Sequence, residues 1–224
     1  MSLSNLLKKI ADSEPGPETC ALFDFDGTII SGYSATAFLK DQIARGELSP
    51  ADLIQLTQAA TRFGIGSLGF SALMAVHAQY LAGRSESEYI ANSERLFRRA
   101  IAKLVYPEAR QLIDAHRAKG HSIAIISSAT PYQVIPAAKD LGIDNVYATD
   151  LEVVDGHFTG SVVTPTCFGE GKVLAAEAFA EDHGGSVDRS FFYSDSTDDI
   201  ALLETVGYPV VLNGSKQLRV IAAE

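Results

Sequence analysis

Cysteines and cations are scarce in this sequence, and each scarcity closes off a class of function. Only two cysteines occur among 224 residues, Cys20 and Cys167, far apart and in no metal-like spacing. No thiolate metal site is read from them, and a reducing compartment fits. Lysine and arginine number 18 against 28 aspartates and glutamates, a formal net charge of -10. Binding nucleic acid or an anionic membrane draws on clustered basic side chains that displace counterions, so both partners are argued against. The one basic run, Arg95 to Arg99, reads as a solvated helix face. The opening stretch, MSLSNLLKKIADSEPGPE, lacks the apolar segment and small-residue cleavage site of a signal peptide. It reads as a short amphipathic helix followed by a Pro-Gly-Pro linker, and the expected location is the cytoplasm. Charge is absent from Phe63 to Gly83, long enough to span a bilayer. Gly64, Gly66, Gly69, His77 and Gln79 dilute that stretch, so it is read as a helix packed on protein or facing an apolar substrate. There is no internal repeat and no low-complexity segment.

What the sequence does contain alternates between strand and helix. Cys20 to Phe23, Ile123 to Ile126, Phe191 to Tyr193 and Pro209 to Leu212 are short apolar runs of the kind that form fully buried parallel strands. A helical pattern runs from Glu108 to Ala118 and stops at Lys119-Gly120. Glu152 to Val163 alternates around Asp155-Gly156, a hairpin signal. Between Ser34 and about Leu104 the periodicity is helical only, carried by Leu53, Leu56, Ala60 and Phe63, then by Leu73, Val76 and Leu81. The expected architecture is an α/β core interrupted after its first strand by a helical lobe.

Polar residues gather where the strands end. Asp24 and Asp26 follow the first run, Ser127 and Ser128 the second, and Asp195, Asp198 and Asp199 follow Phe191 to Ser194. Ligands of an open parallel sheet bind beyond the carboxyl ends of its strands, so these groups are expected to converge on one crevice. In FDFDGTII, residues i and i+2 point the same way. Asp24 and Asp26 can then address one ligand while Phe23 and Phe25 pack on the other side.

Several carboxylates in one crevice repel each other, and Mg²⁺ is the hard cation that neutralises oxygen ligands of this kind while keeping waters and a phosphate oxygen. Lys172, opening a helix that runs to about Asp182, adds a fixed positive charge. A serine hydroxyl and the N–H groups of the helix start at Thr130-Pro131 suit a phosphoryl group. Together these describe phosphoryl transfer through an aspartyl-phosphate, with Asp24 attacking phosphorus and Asp26 as acid and then base.

FDFDGTII, the serine of IISSAT, Lys172 of FGEGK and YSDSTDDI resemble, in order, the four motifs of the haloacid dehalogenase-like superfamily. The helical insertion resembles its C1-type cap, as in phosphoserine phosphatases and other subfamily IB members, and the likeness covers Leu22 to Leu212. The resemblance implies a Rossmann-like parallel-sheet core of residues 1–32 and 105–224 with a helical cap over 33–104. It implies a Mg²⁺-dependent phosphatase of small phosphate monoesters, with Asp24 as nucleophile, Asp26 as acid/base with its backbone carbonyl on the metal, Ser127 on the phosphoryl group and Lys172 orienting both. Asp195 would be a metal ligand and Asp199 a metal-site or lysine-pairing carboxylate. Thr28, Ser128 and Tyr33 are the substrate-binding candidates.

The sequence departs from the phosphoserine phosphatases where they read their substrate. Their Glu seven residues after the second aspartate of the first motif is Tyr33 here, and no Arg or Lys between Phe63 and Gly83 replaces their cap arginine. A phosphatase specific for phosphoserine or for histidinol phosphate, and a non-catalytic phosphate-binding or regulatory module like a receiver domain, are the alternatives. A receiver places its phosphorylated aspartate on a later strand and lacks the proton relay that Asp26 offers. Gly64 to Gly69 spells G-x-G-x-x-G, but a helical pattern precedes it where a dinucleotide fold needs a strand. The Gly171-Lys172 pair fails as a P-loop, with Thr166 and Val173 at required positions. His116, His121, His157 and His183 are expected at the surface or as caps, and His77 in the apolar face of the lobe.

Overall fold

The computed structural model describes residues 2–48, 51, 54, 58 and 67–221. Helix α1 (Leu3–Asp12) precedes strand β1 (Cys20–Phe23), which is followed by helices α2 (Ser34–Ala44), α3 (Ser67–Leu81) and α4 (Glu86–Leu96). A π-helical turn, Phe97–Ile101, and a 3₁₀ turn, Ala102–Leu104, lead back to α5 (Pro107–Ala118) and β2 (Ser122–Ile126). Then come α6 (Pro131–Leu141), β3 (Asn145–Tyr147), the hairpin β4 (Leu151–Val154) and β5 (His157–Val162), and α7 (Glu170–Asp182). The chain ends through β6 (Phe191–Ser194), α8 (Ile200–Thr205), β7 (Tyr208–Val211) and α9 (Lys216–Ile221).

Five strands form one parallel sheet in the order β3-β2-β1-β6-β7. A parallel sheet is covered on both faces, and every residue of β1 and β6 is buried accordingly. Alternation sorts the two faces. Ala21, Phe23, Ile125, Phe191 and Tyr193 join Leu6 and Ile10 of α1 and Leu112 and Ile113 of α5. Cys20, Leu22, Ala124, Ile126 and Phe192 join Ala176 and Phe179 of α7 and Leu202 of α8. Phe25 is fully buried in the same cluster as Phe23, as the i and i+2 pattern requires. Strand β3 has no counterpart in the sequence reading: three half-buried residues at a sheet edge carry too little apolar signal.

The helical insertion differs from expectation in its buried face. On α3 the buried side chains include Met74, Ala78 and Leu81, whereas Leu73 is 40% exposed. A helix apolar all round has no periodicity to choose a face, so packing chose it. Leu53, Leu56, Ala60, Phe63 and the first glycines of the G-x-G-x-x-G stretch lie outside the described residues. The β4–β5 hairpin, with Asp155 and Gly156 both at positive φ as a type I′ turn demands, is fastened to this insertion. Gly83 N–H donates to Phe158 O at 2.8 Å, Phe158 N–H to Arg84 O at 3.1 Å, Glu86 N–H to Gly156 O at 2.9 Å and Gln79 Nε2 to Gly160 O at 2.9 Å. Among the described residues no helix is long and apolar enough to cross a membrane.

Two histidines overturn the expectation of surface positions. His116 is fully buried and His121 nearly so. His121 Nε2 lies 2.9 Å from Glu14 O, His121 Nδ1 lies 2.7 Å from His116 Nδ1, and His116 Nε2 lies 2.7 Å from the Tyr193 hydroxyl. The carbonyl can only accept, so His121 donates from Nε2, accepts at Nδ1 from His116, and His116 accepts at Nε2 from Tyr193. Every bond is satisfied with both rings neutral. Burial, reinforced by His121, lowers the His116 pKa from 6.5 to about 3. His183, by contrast, does cap α7 at Phe179 O, and His157 is exposed.

The unfolded chain protonates His116 below its ordinary pKa of 6.5 while the folded chain does so only near 3, so folding expels a proton in that window and stability is lost as the pH is lowered through it. Between about pH 7 and about pH 5 this one group should remove roughly 2 kcal/mol. Urea unfolding at both pH values should show His116→Gln losing less on acidification than the parent. Equal losses would mean that this buried chain does not set acid sensitivity.

Candidate active site

The site is built on the end of β1. Asp24 N–H donates to Tyr193 O at 2.9 Å, which carries the ladder to β6 one residue past the strand and holds Asp24, 5% exposed, in the sheet's upper edge. Lys172, in the first turn of α7, is 2% exposed and donates from Nζ to Asp24 Oδ1 at 2.7 Å. The same ammonium meets Asp199 at 2.7 Å from Oδ1 and 2.9 Å from Oδ2. Asp199 Oδ2 also accepts the Ser194 hydroxyl at 2.7 Å. A glycine before this lysine is required: a Cβ on Gly171 would stand 1.9 Å from Thr166 O.

Charges this deep persist only when paired and hydrogen-bonded. Burial opposes the charge on Lys172, but Asp199 and Asp24 outweigh it and its pKa is raised. Asp24 is pushed upward by burial, with Lys172 pulling the other way and Asp199 adding to the rise. Of the two roles expected for Asp199, its geometry is that of the lysine-pairing carboxylate, since both its oxygens are engaged by Lys172 and Ser194. Ser194 joins the site through this bond alone, which no local sequence pattern marks.

Asp26 is half-buried in the loop after Asp24. Its Oδ1 accepts Ser34 N–H at 2.6 Å and its Oδ2 accepts the Ser34 hydroxyl at 3.0 Å. Burial raises its pKa, and the Ser34 bonds oppose that rise. Ser34 opens α2, so a first-turn N–H with no helical partner supplies one bond. The signal that could have found it is a serine at a helix start beside an acidic motif.

Asp195 closes the site from β6. Thr28 donates to its Oδ1 at 3.4 Å, and its pKa is raised to about 6, first by burial, with Asp199 contributing. Gly27, at φ +77, passes under this carboxylate so closely that a Cβ would lie 2.2 Å from Asp195 Oδ2, and only glycine meets both conditions. Tyr33 is 67% exposed at the mouth, and its phenol pKa is raised by burial and by Asp195, Asp26, Asp198 and Asp24. Ser127 is buried, its Oγ accepting Ala129 N–H at 3.2 Å, while Ser128 is half-exposed.

Asp24, Asp26, Asp195 and Asp199 thus share one crevice with one buried cation, Lys172. That excess of hard oxygen donors fits a divalent cation such as Mg²⁺. Among the described residues no three His, Cys, Asp or Glu side chains stand close enough to hold a metal by themselves. Mg²⁺ needs only one or two carboxylates, with waters and a phosphate oxygen completing its shell.

A family model described as haloacid dehalogenase-like hydrolase matches residues 21–204. The chain belongs to this family. This haloacid dehalogenase-like hydrolase is 32% identical over 209 residues to phosphoserine phosphatase SerB1 of Mycobacterium tuberculosis, covering 91% of this chain and 68% of that protein. It is 28% identical over 209 residues to a histidinol-phosphatase of Neisseria meningitidis serogroup C, covering 91% and 94% of the two chains. Among solved structures, a protein of unknown function from Bordetella pertussis Tohama I superposes with a TM-score of 0.82 at 28% identity, covering 92% of this chain and 95% of that one. A phosphoserine phosphatase solved as a phospho-aspartyl intermediate analogue superposes at 0.62 with 19% identity, over 95% and 99% of the chains, a likeness of fold.

Replacing Lys172 with Met should leave Asp24 and Asp199 facing each other without a cation. The expected loss of stability at neutral pH is about 3–5 kcal/mol. Adding Asp199→Asn should restore part of it, read by denaturant midpoint. A Lys172→Met protein as stable as the parent would show that this ammonium does not hold the site together.

Proposed function

We propose that this chain is a Mg²⁺-dependent phosphomonoesterase that hydrolyses a small phosphorylated metabolite through an aspartyl-phosphate on Asp24. That it is an enzyme of the phosphatase class follows from its family and from the phosphatases it resembles. The observation that carries the finer reading is the buried Lys172 bridge: it occupies Asp24 Oδ1 and leaves Oδ2 with no hydrogen-bond partner among the described residues. A carboxylate so held offers one oxygen for attack and keeps the other neutralised.

In the first step Asp24 Oδ2 forms a bond to phosphorus as the ester P–O bond breaks, and Asp26 gives its proton to the departing alkoxide. In the second, Asp26 takes a proton from water while the water oxygen attacks phosphorus, breaking the Asp24–phosphate bond and releasing inorganic phosphate. Lys172 stays protonated throughout and balances Asp24 and Asp199. Ser127 and the N–H groups at the start of α6 are the phosphoryl-facing groups. Asp24, Asp195 and the Asp26 carbonyl are the residues to hold Mg²⁺, with Asp199 behind them on Lys172. The ion, when bound, supplies charge neutralisation for the phosphoryl oxygens.

The helices between 33 and 104 act as a cap in this reading. Phe70 of α3 stacks on Phe168, ring centroids 4.4 Å apart, in the loop that leads to Lys172. The substrate would be chosen between this apolar contact and the exposed ring of Tyr33. Two buried free thiols, Cys20 and Cys167, support a reducing, cytoplasmic setting.

Asp24→Asn should fold as the parent does and lose turnover by more than about a thousandfold, since the amide keeps the volume but not the nucleophile. Phosphate release with Mg²⁺ measures it, and near-parental activity would sink the mechanism.

Phosphoserine should be a poor substrate. Its carboxylate would enter a mouth ringed by Asp195, Asp26 and Asp198, and a desolvated unpaired anion is strongly disfavoured. An ester with an uncharged, partly apolar leaving group should turn over better. An amine-bearing one such as histidinol phosphate is a second reading, favoured by the Tyr33 ring exposed amid carboxylates. In a side-by-side panel, kcat/KM for phosphoserine is expected at least about tenfold below the best ester. Phosphoserine at the top would overturn this reading of the mouth and leave the reaction class standing.

A further inference from the structure

Asp26 is the end of a longer buried chain. Ser34, fully buried, donates to both Asp26 oxygens. Ser34 Oγ also accepts from Gln133 Nε2 at 3.0 Å, across from the insertion to α6. Gln133 Oε1 in turn accepts Thr130 N–H at 2.9 Å and the Thr130 hydroxyl at 2.9 Å. Gln133 is 8% exposed and Thr130 1%.

The polarity of this chain is forced. A backbone N–H can only donate, so the Gln133 amide must turn its oxygen to Thr130 and its NH₂ to Ser34. Ser34 Oγ, accepting from that NH₂, directs its own hydrogen to Asp26. The carboxylate therefore receives one donor on each oxygen from a single residue, and it cannot rotate without breaking a buried bond. Thr130 ends the Ser127-Ser128-Ala129 turn, so the phosphoryl-facing segment, the first helix of the insertion and the proton-transfer group are tied to one amide.

We infer that Gln133 is a positioning residue for Asp26, acting through Ser34, and that it sets the rate of proton transfer. This rests on the phosphatase reading above, in which Asp26 carries the proton. Gln133 touches no reacting atom. Its contribution is orientation, which matters most where the leaving group depends on being protonated.

The test is Gln133→Leu against the parent and Asp26→Asn, with an alkyl phosphate and an activated aryl phosphate, using single-turnover phosphorylation and steady-state kinetics with Mg²⁺. Gln133→Leu should lower the alkyl phosphate phosphorylation rate roughly tenfold, change the aryl phosphate rate less than about twofold, and leave KM within about twofold. Ser34→Ala, which keeps its backbone N–H and a good helix former at the start of α2, should repeat the pattern, and Ser34→Thr should restore the rate. The Ser34 pair answers the question if the Gln133 variant does not fold. Equal losses on both esters, or a change in KM alone, would overturn the positioning role. If Asp26→Asn itself shows no dependence on leaving group, the proton-transfer reading of Asp26 fails. If Asp26→Asn shows it and Gln133→Leu and Ser34→Ala do not, only the inference about Gln133 fails.

Discussion

One buried ammonium lets this site exist. Lys172 stands between Asp24 and Asp199, 148 and 27 residues away in sequence, and each of these carboxylates would otherwise be an unpaired charge under the surface. The bridge also fixes geometry: it ties α7 to the tip of β1 and to the turn that starts α8. The ordering entropy of bringing such distant segments together is met by the apolar sheet beneath, whose faces are fully covered. The charged layer sits on that platform and contributes chemistry more than stability. One lysine against four carboxylates leaves the crevice negative.

The rest of the site follows from the end of the sheet. Asp24, Asp195 and Ser127 come from the tips of β1, β6 and β2, three neighbouring parallel strands. Side chains at those positions need no loop to carry them, which makes their spacing rigid. The insertion contributes differently. It reaches the core through Ser34 on Asp26, through Phe70 on Phe168, and through the hairpin that is bonded to the 83–86 segment. These contacts join the part of the molecule that would select a leaving group to the part that would protonate it.

The strand-tip residues were legible because a parallel strand writes itself into sequence as an apolar run, and the polar residues after each run announce the crevice. Lys172 was legible by its place at a helix start. Less visible was anything whose meaning depends on a partner from elsewhere in the chain. His116 and His121 read as surface groups beside Lys119-Gly120, yet both are buried, because Tyr193 and Glu14 O complete their bonds. Leu73 carried the periodicity of α3, but Met74 is inside. Gln133 reads as one polar residue of an ordinary helix.

The alternation of β and α, the residue types at the carboxyl ends of the strands and the interruption after β1 are all written in neighbouring residues, as apolar runs, as the polar residues that end them, or as a helical period of 3.6. Only the tertiary structure decided which carboxylate Lys172 serves, which face of α3 is buried, that the hairpin belongs with the insertion, and that Ser34 and Gln133 stand behind Asp26. The physical reason is the same in each case. Burying a polar group is tolerable only beside a matching donor or acceptor, and that match is a property of positions in space that neighbouring residues do not encode.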